Sequence, residues 1–239
     1  MKIYGITDVG LKRQLNEDSY FVKEYGDNKF IAVVSDGMGG HNAGEVASKL
    51  VINSIVKFAG ENDCFKYVDI KIKKAISAAN YNVYLHSIKN KKLNGMGATL
   101  VVGIYNGKKM YVGNLGDSRA YHIHNGEIAQ ITSDHSFVYE LVKSGIITQE
   151  ESKTHPQRNE ITKAIGIAPE AFPDIYEVAV KQGDSLLICS DGLSNMCDDN
   201  LILDIILKND DIKAGLKELV KTANQNGGSD NITAILVKF

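Results

Sequence analysis

Residues 31–40, IAVVSDGMGG, constrain this chain more than any other stretch. An apolar run rich in β-branched residues reads as a buried strand, and the acid and glycines that close it force a turn. Asp36 is therefore expected at a strand end, facing a loop. The same grammar recurs in 185–192, SLLICSDG, which delivers Asp191, and more loosely in 109–117, KMYVGNLGD, which delivers Asp117. A fourth acid, Asp230, stands just before NITAILVKF, which reads as the last strand. In an antiparallel sheet the start of one strand lies beside the end of its neighbour, so Asp230 can join the other three at one edge. The pattern predicts a rim of carboxylates. Like charges that close need cations or bound protons between them.

If Asp36 and Asp230 share a site, the 239 residues close as a single domain, 1–239, and a 44% hydrophobic content supplies the core. A net charge of −2 excludes the basic excess of a dedicated nucleic-acid binder. No membrane association is expected, because the apolar runs are short and 201–207, LILDIIL, is broken by Asp204. The opening MKIYGITDVG has no apolar run of signal-peptide length, so a cytoplasmic location is expected. Cys64, Cys189 and Cys197 lack metal-ligand spacing and read as small buried apolar residues. A cysteine-dependent phosphatase needs an arginine six residues after its nucleophile. Asn195 and Leu203 stand there instead, which excludes that chemistry.

Residues 2–9, 18–25 and 29–35 read as strands, with a polar loop, LKRQLNED, between the first two. Ala47, Leu50, Val51, Ser54, Ile55 and Phe58 fall on helical spacing, as do Val68, Ile72, Ala75, Ile76, Ala79 and Val83. A turn at Gly60, Glu61, Asn62 and Asp63 joins these two helices. Strand patterns then cover 98–105, 109–113, 118–124 and 127–131; Asn106-Gly107 and Asn125-Gly126 are hairpin signals, and a β-meander is expected. All three prolines fall within 133–176, which reads as an irregular flap with helical turns at 136–144 and 148–153. Two amphipathic helices follow, carrying Leu201, Ile202, Ile205 and Ile206, then Leu216, Leu219, Val220 and Ala223. Paired helices alternating with antiparallel strands predict an α+β sandwich and not a parallel βαβ sheet.

An all-oxygen ligand set suits Mg²⁺ or Mn²⁺, since zinc prefers nitrogen and sulfur. Carboxylate clusters of this kind commonly hold two ions that clamp a phosphoryl centre and activate a water for ester hydrolysis. Arg13, in the first loop, offers a planar fork for two phosphate oxygens.

The motifs RQLNED at 13–18, SDGMGGHNAGEVAS at 35–48, GATL at 97–100, NLGDSRAY at 114–121, DHS at 134–136, SDGL at 190–193 and SDNIT at 229–233 occur in that order. Together they resemble the motif set of the metal-dependent type 2C protein serine/threonine phosphatases, and the length and DGMGG resemble the bacterial branch. The resemblance implies a four-layer sandwich, two antiparallel β-sheets packed face to face and flanked by pairs of antiparallel helices. It implies two Mn²⁺ or Mg²⁺ ions, with Asp36 bridging them, the Gly37 carbonyl serving one, and Asp191 and Asp230 completing the other. Asp117, with Asp191, matches the position of a third, weaker ion. Glu17 and Asp18 would order the waters around the metals, and Arg13 would bind the substrate phosphate. The implied reaction is direct attack by a metal-bridged hydroxide on a phosphoserine or phosphothreonine monoester. Animal relatives place a histidine directly after the Asp-Gly pair as general acid; Met38 stands there, and His41 is the substitute.

The implied partners are phosphorylated proteins and a cognate serine/threonine kinase with its substrates, and the chain is expected to be a monomer. A catalytically silent phosphoprotein-binding module on the same fold is the alternative. The remaining histidines, His86, His122, His124, His135 and His155, read as surface or structural residues, and Arg119 as the partner of a carboxylate. Asn231-Ile232-Thr233 is a formal glycosylation sequon that a cytoplasmic chain leaves idle.

Overall fold

A computed structural model describes residues 1–26, 28–39, 43–60 and 64–239. The chain opens with strands β1 (Lys2–Asp8), β2 (Ser19–Tyr25), β3 (Lys29–Ser35) and β4 (Gly37–Met38), then helices α1 (Ala43–Ala59) and α2 (Val68–Lys89). Strands β5 (Gly97–Ala98), β6 (Leu100–Tyr105), β7 (Met110–Leu115), β8 (Arg119–His124) and β9 (Glu127–Gln130) follow. Helices α3 (Phe137–Lys143) and α4 (Gln149–Thr154) precede β10 (Asp174–Val178) and β11 (Ser185–Cys189). Helices α5 (Asp191–Ser194), α6 (Asp199–Lys208) and α7 (Ile212–Gln225) lead into the last strand, β12 (Ile232–Lys238).

Two five-stranded antiparallel sheets result, in the orders β1-β12-β11-β8-β9 and β10-β7-β6-β3-β2. Alternation of side chains across each strand sorts the apolar residues into three layers. Phe30, Ala32 and Val34 of β3 meet Leu186 and Ile188 of β11 and Ile235 and Val237 of β12 between the sheets. Ile31 and Val33 face the other way, against Val51 and Ile55 of α1 and Ile72 and Ile76 of α2. On the far side, Leu187 and Cys189 pack against Ile202, Ile205, Leu216 and Leu219 of α6 and α7. Both faces of β3 and β11 are therefore buried, which is why their sequences run apolar without alternation. The expected four-layer α+β sandwich is present, with a helix pair on each outer face.

Two expectations are corrected. The run 98–131 is not one meander: β6 and β7 pair in one sheet and β8 and β9 in the other. The chain crosses between sheets at 116–118, and this crossing carries Asp117. Asn125-Gly126 does make a two-residue turn, both residues at positive φ. The expected irregular flap ends earlier than residue 176, because β10 begins at Asp174 and pairs with β7 as an edge strand. Its two helical turns stand where expected, capped by Ser136 and Thr148. In the turn expected at Gly60, Glu61, Asn62 and Asp63, the last three lie outside the described residues.

Strand directions put one end of both sheets in common. Strands β3, β7 and β11 finish there, and β2, β8 and β12 begin there. Asp36, Asp117, Asp191 and Asp230 all flank that end. Among the described residues no helix is long and apolar enough to cross a membrane.

Candidate active site

Each rim acid is fixed by backbone before its side chain is considered. The Asp36 N–H donates to Thr99 Oγ1 (3.0 Å), and the Thr99 N–H donates to the Asp36 carbonyl (2.8 Å). Thr99 Oγ1 lies 2.7 Å from Ser118 Oγ, which ties the Asp36 turn to the crossing that holds Asp117. Asp191 opens α5 directly after β11. Gly192 behind it lies so close to β12 that a Cβ would stand 2.0 Å from the Asn231 carbonyl oxygen, so glycine is required there. Asn231 clamps the first loop: its Nδ2 donates to the carbonyls of Val9 (2.9 Å) and Leu15 (3.0 Å), and its Oδ1 accepts from the Glu17 N–H (2.8 Å). That clamp delivers Arg13, Glu17 and Asp18 to the rim.

The carboxylates face one another. Those of Asp36 and Asp191 approach closely enough to share a proton, and Asp36 feels the charges of Asp18, Asp191, Asp117 and Asp230 together. Burial, reinforced by this repulsion, holds Asp36 well above the ordinary carboxylate range and raises Asp191. Burial pushes Asp117 up to about 8, with Asp191 and Asp134 adding to it. Asp18 is pushed up to about 7, chiefly by burial, although hydrogen bonds from Thr233 and Ser190 oppose the shift. Oδ1 atoms of Asp18, Asp117 and Asp191 are buried and accept no hydrogen bond. An unpaired buried acceptor is costly, and three at one rim call for a ligand with positive charge. Hard divalent cations fit this donor set, being all oxygen and all acidic.

Arg13 is a cation that the first loop brings to this edge. Its Nη2 donates to Asp230 Oδ2 (2.8 Å), while the side chain stays 48% exposed. Glu17 takes hydrogen bonds from the backbone N–H groups of Gly44 and Glu45 in the first turn of α1, and lies within the field of Arg13 and Asp230. Gly37, in β4, pairs with Ala98 of β5. His41 lies outside the described residues.

Sequence reasoning missed the residues that hold the acids in place: Thr99, Ser118, Ser190 and Asn231. All four stand inside the ordered motifs GATL, NLGDSRAY, SDGL and SDNIT, which marked their positions without showing that they brace the acids. The sequon is closed, since Asn231 is 3% exposed and Thr233 is fully buried. Arg119 pairs as expected: its Nε donates to Asp134 Oδ1 (3.0 Å) and its Nη2 to Oδ2 (2.6 Å). His135 is structural, accepting the Gly116 N–H at Nδ1 (3.0 Å), with Nε2 3.0 Å from Asp174 Oδ2.

Comparison with known proteins bears on this geometry directly. The family model described as protein phosphatase 2C matches residues 11–237. The chain belongs to the protein phosphatase 2C family. The serine/threonine phosphatase stp of Listeria welshimeri is 36% identical over 235 residues, covering 97% of this chain and 93% of that protein. The solved serine/threonine phosphatase of S. agalactiae superposes with a TM-score of 0.93 at 34% identity, covering 99% of this chain and 98% of that one. The solved catalytic domain of the serine threonine protein phosphatase PstP, at 34% identity and a TM-score of 0.87 over 98% of this chain and 96% of that one, contains two manganese ions. The phosphatase 2C sandwich and the bacterial affinity of the motifs are both as expected.

Proposed function

We propose that this chain is a metal-dependent phosphatase acting on phosphoserine and phosphothreonine in proteins. The observation that carries the reading is the convergence of Asp36, Asp117, Asp191 and Asp230 from separate strands, with buried oxygens of Asp18, Asp117 and Asp191 that no donor satisfies. Asp36, Asp191, Asp230 and the Gly37 carbonyl would hold two Mn²⁺ or Mg²⁺ ions, and Asp117 with Asp191 a third. When bound, such ions polarise phosphoryl oxygens and lower the pKa of coordinated water toward neutrality.

The chain's own groups do the positioning. The half-exposed Arg13 side chain exchanges Asp230 for two oxygens of the incoming phosphate, which orients the ester at the rim. Asp18, buried and held by Ser190 Oγ (2.8 Å), presents its second oxygen as an acceptor for water. Glu17, anchored on the α1 amides, sets the negative field beside it. His41 supplies the proton to the leaving alkoxide. The reading takes 1–239 as one catalytic domain, since the rim uses acids from both ends of the sequence. It extends to a monomer in the cytoplasm that reverses the work of a cognate serine/threonine kinase.

A phosphothreonine peptide incubated with the protein and Mn²⁺ is expected to release phosphate, and excess chelator to abolish the release. Release that persists unchanged in chelator would overturn the reading. No observation favours the silent binding module, because all four aspartates stand at the rim.

A further inference from the structure

At the end of the sandwich away from the acid rim lies a second group of potential ligands. His122 and His124 alternate along β8, so both imidazoles fall on one face. Asp184 sits in the turn just before β11, whose first residue, Ser185, pairs with Ile123. His122 Nε2 lies 2.9 Å from Asp184 Oδ2, and His124 Nδ1 lies 2.6 Å from Asp184 Oδ1. The two rings stack, with centroids 5.7 Å apart and planes 20° from parallel. One ligand atom from each residue can be chosen so that all three lie within 4.8 Å of one another.

We propose that His122, His124 and Asp184 form a second metal site, for a borderline divalent ion of the zinc class. Two imidazole nitrogens and one carboxylate oxygen are the ligands zinc prefers, whereas the all-oxygen rim suits Mg²⁺ or Mn²⁺. The two ends of one molecule are thus chemically sorted. Zinc bonds of about 2.0–2.1 Å in tetrahedral geometry need ligand atoms roughly 3.3 Å apart; the two histidine–carboxylate contacts, 2.9 and 2.6 Å, are shorter than that, and the three ligand atoms all lie within 4.8 Å, so side-chain adjustments of under about 2 Å gather them round one ion. Asp184 is already oriented for the task. It is 4% exposed, and its Oδ2 accepts the Lys181 N–H at 2.9 Å, the kind of outer contact that fixes a ligating carboxylate. The His124 side chain is 36% exposed, which leaves a route for the ion and room for a water as fourth ligand. The site is distinct from the rim, since the length of β11, four residue steps of about 3.3 Å each, separates Ser185 from Cys189. A bound ion would clip β8 to the turn ahead of β11, two segments about 60 residues apart in sequence, as a structural fastening.

The test uses Co²⁺ as a spectroscopic probe on the metal-free full chain carrying Asp191→Asn, which weakens the rim and leaves the histidines intact. One equivalent of Co²⁺ is expected to bind with the intense visible bands of a four- or five-coordinate nitrogen-ligated ion, and Zn²⁺ to displace it. Adding His124→Asn, or separately His122→Asn, should weaken that binding at least about tenfold. Zn²⁺ at about a hundredfold excess over its Kd should raise the Tm of the Asp191→Asn chain by roughly 5 °C or more, and of the His variants by less. Either of two results overturns the proposal: Co²⁺ spectra of a six-coordinate oxygen-ligated ion only, or binding that the histidine substitutions leave unchanged. The outcome is independent of phosphatase activity, which can fail or succeed without altering it.

Discussion

Asp117 and Asp134 lie close enough for each to feel the other's charge, yet they live under opposite conditions. Asp134 is enclosed by donors: Arg119 grips both its oxygens, and Gln130 Nε2 adds a bond of 2.8 Å to Oδ1. Asp117 has a buried oxygen with no donor at all, and burial pushes it up to about 8. A folded chain that supplies partners to one acid and withholds them from the next is dividing structure from function. Satisfied acids hold the sandwich together. Starved acids wait for something the chain does not carry, and substitutions at the two should therefore fail in different ways.

The largest separation is expected at Asp191. Asp191→Asn should lower kcat on a phosphothreonine peptide by about 10²–10³-fold or more, on the scale of losing one preorganised electrostatic contact in a transition state. In chelator the same variant should be at least as stable as the parent, because it removes one of several mutually repelling carboxylates. A variant with full turnover, or one that unfolds in chelator, would erase the distinction. At the satisfied acid the signs reverse. Arg119→Ala strands the buried Asp134 charge and should cost about 3–5 kcal/mol in urea denaturation. If Arg119→Ala proved harmless to stability, Asp134 would belong with the rim.

This contrast also marks what a reader of the sequence could see. Asp36 and Asp191 were legible because buried strands that end in acid-glycine leave a carboxylate at a known place; Asp117 followed from a looser copy of that pattern and Asp230 from its place just before the last strand. The sandwich itself followed from helix pairs alternating with antiparallel strands. What stayed hidden was everything decided by tertiary contact. The break between β7 and β8, which sends one half of an expected meander to the opposite sheet, is accompanied by a contact between Thr99 and Ser118, 2.7 Å apart, that only the fold brings together. Asn231 looked like an idle sequon because its three bonds to the first loop span more than 200 residues. The meeting of His122, His124 and Asp184 was equally invisible, since β8 and β11 become neighbours only in the fold.

A smaller effect is expected at Arg13, whose pair with Asp230 is open to solvent. Arg13→Ala should lower kcat/KM for a phosphopeptide by roughly ten- to a hundredfold, the worth of a charge-assisted hydrogen bond, and appear chiefly in KM. Its stability should move by no more than about 1 kcal/mol, as for other exposed ion pairs. Smaller again is a pH effect at His135. Burial lowers its pKa despite the hydrogen bond to Asp174, so the folded chain resists a proton that the unfolded chain accepts. Stability from this residue is fully present above about pH 6.5 and declines as pH falls through the lower folded value. His135→Asn, which keeps an acceptor for the Gly116 N–H, should flatten the difference in urea midpoint between pH 7.5 and pH 5.5; an unchanged difference would place the titration elsewhere.

The smallest effect, expected to be none, tests whether burial alone makes a starved group. Cys189 lies on β11 two residues before Asp191, and burial pushes its thiol up to about 12; Cys197, past α5, is pushed up to about 11. Both are as enclosed as the rim acids, but a thiol answers burial by keeping its proton, and a neutral thiol in an apolar layer lacks nothing. Asp191 cannot settle so cheaply, because four carboxylates share one edge. Native protein should therefore resist a thiol reagent that consumes all three cysteines, the buried Cys64 included, in urea, and its activity should survive the treatment. Rapid labelling of Cys189 in the native state would mean that the end of β11 opens to solvent, and the unsatisfied oxygens beside it would then be hydrated and in no need of a metal.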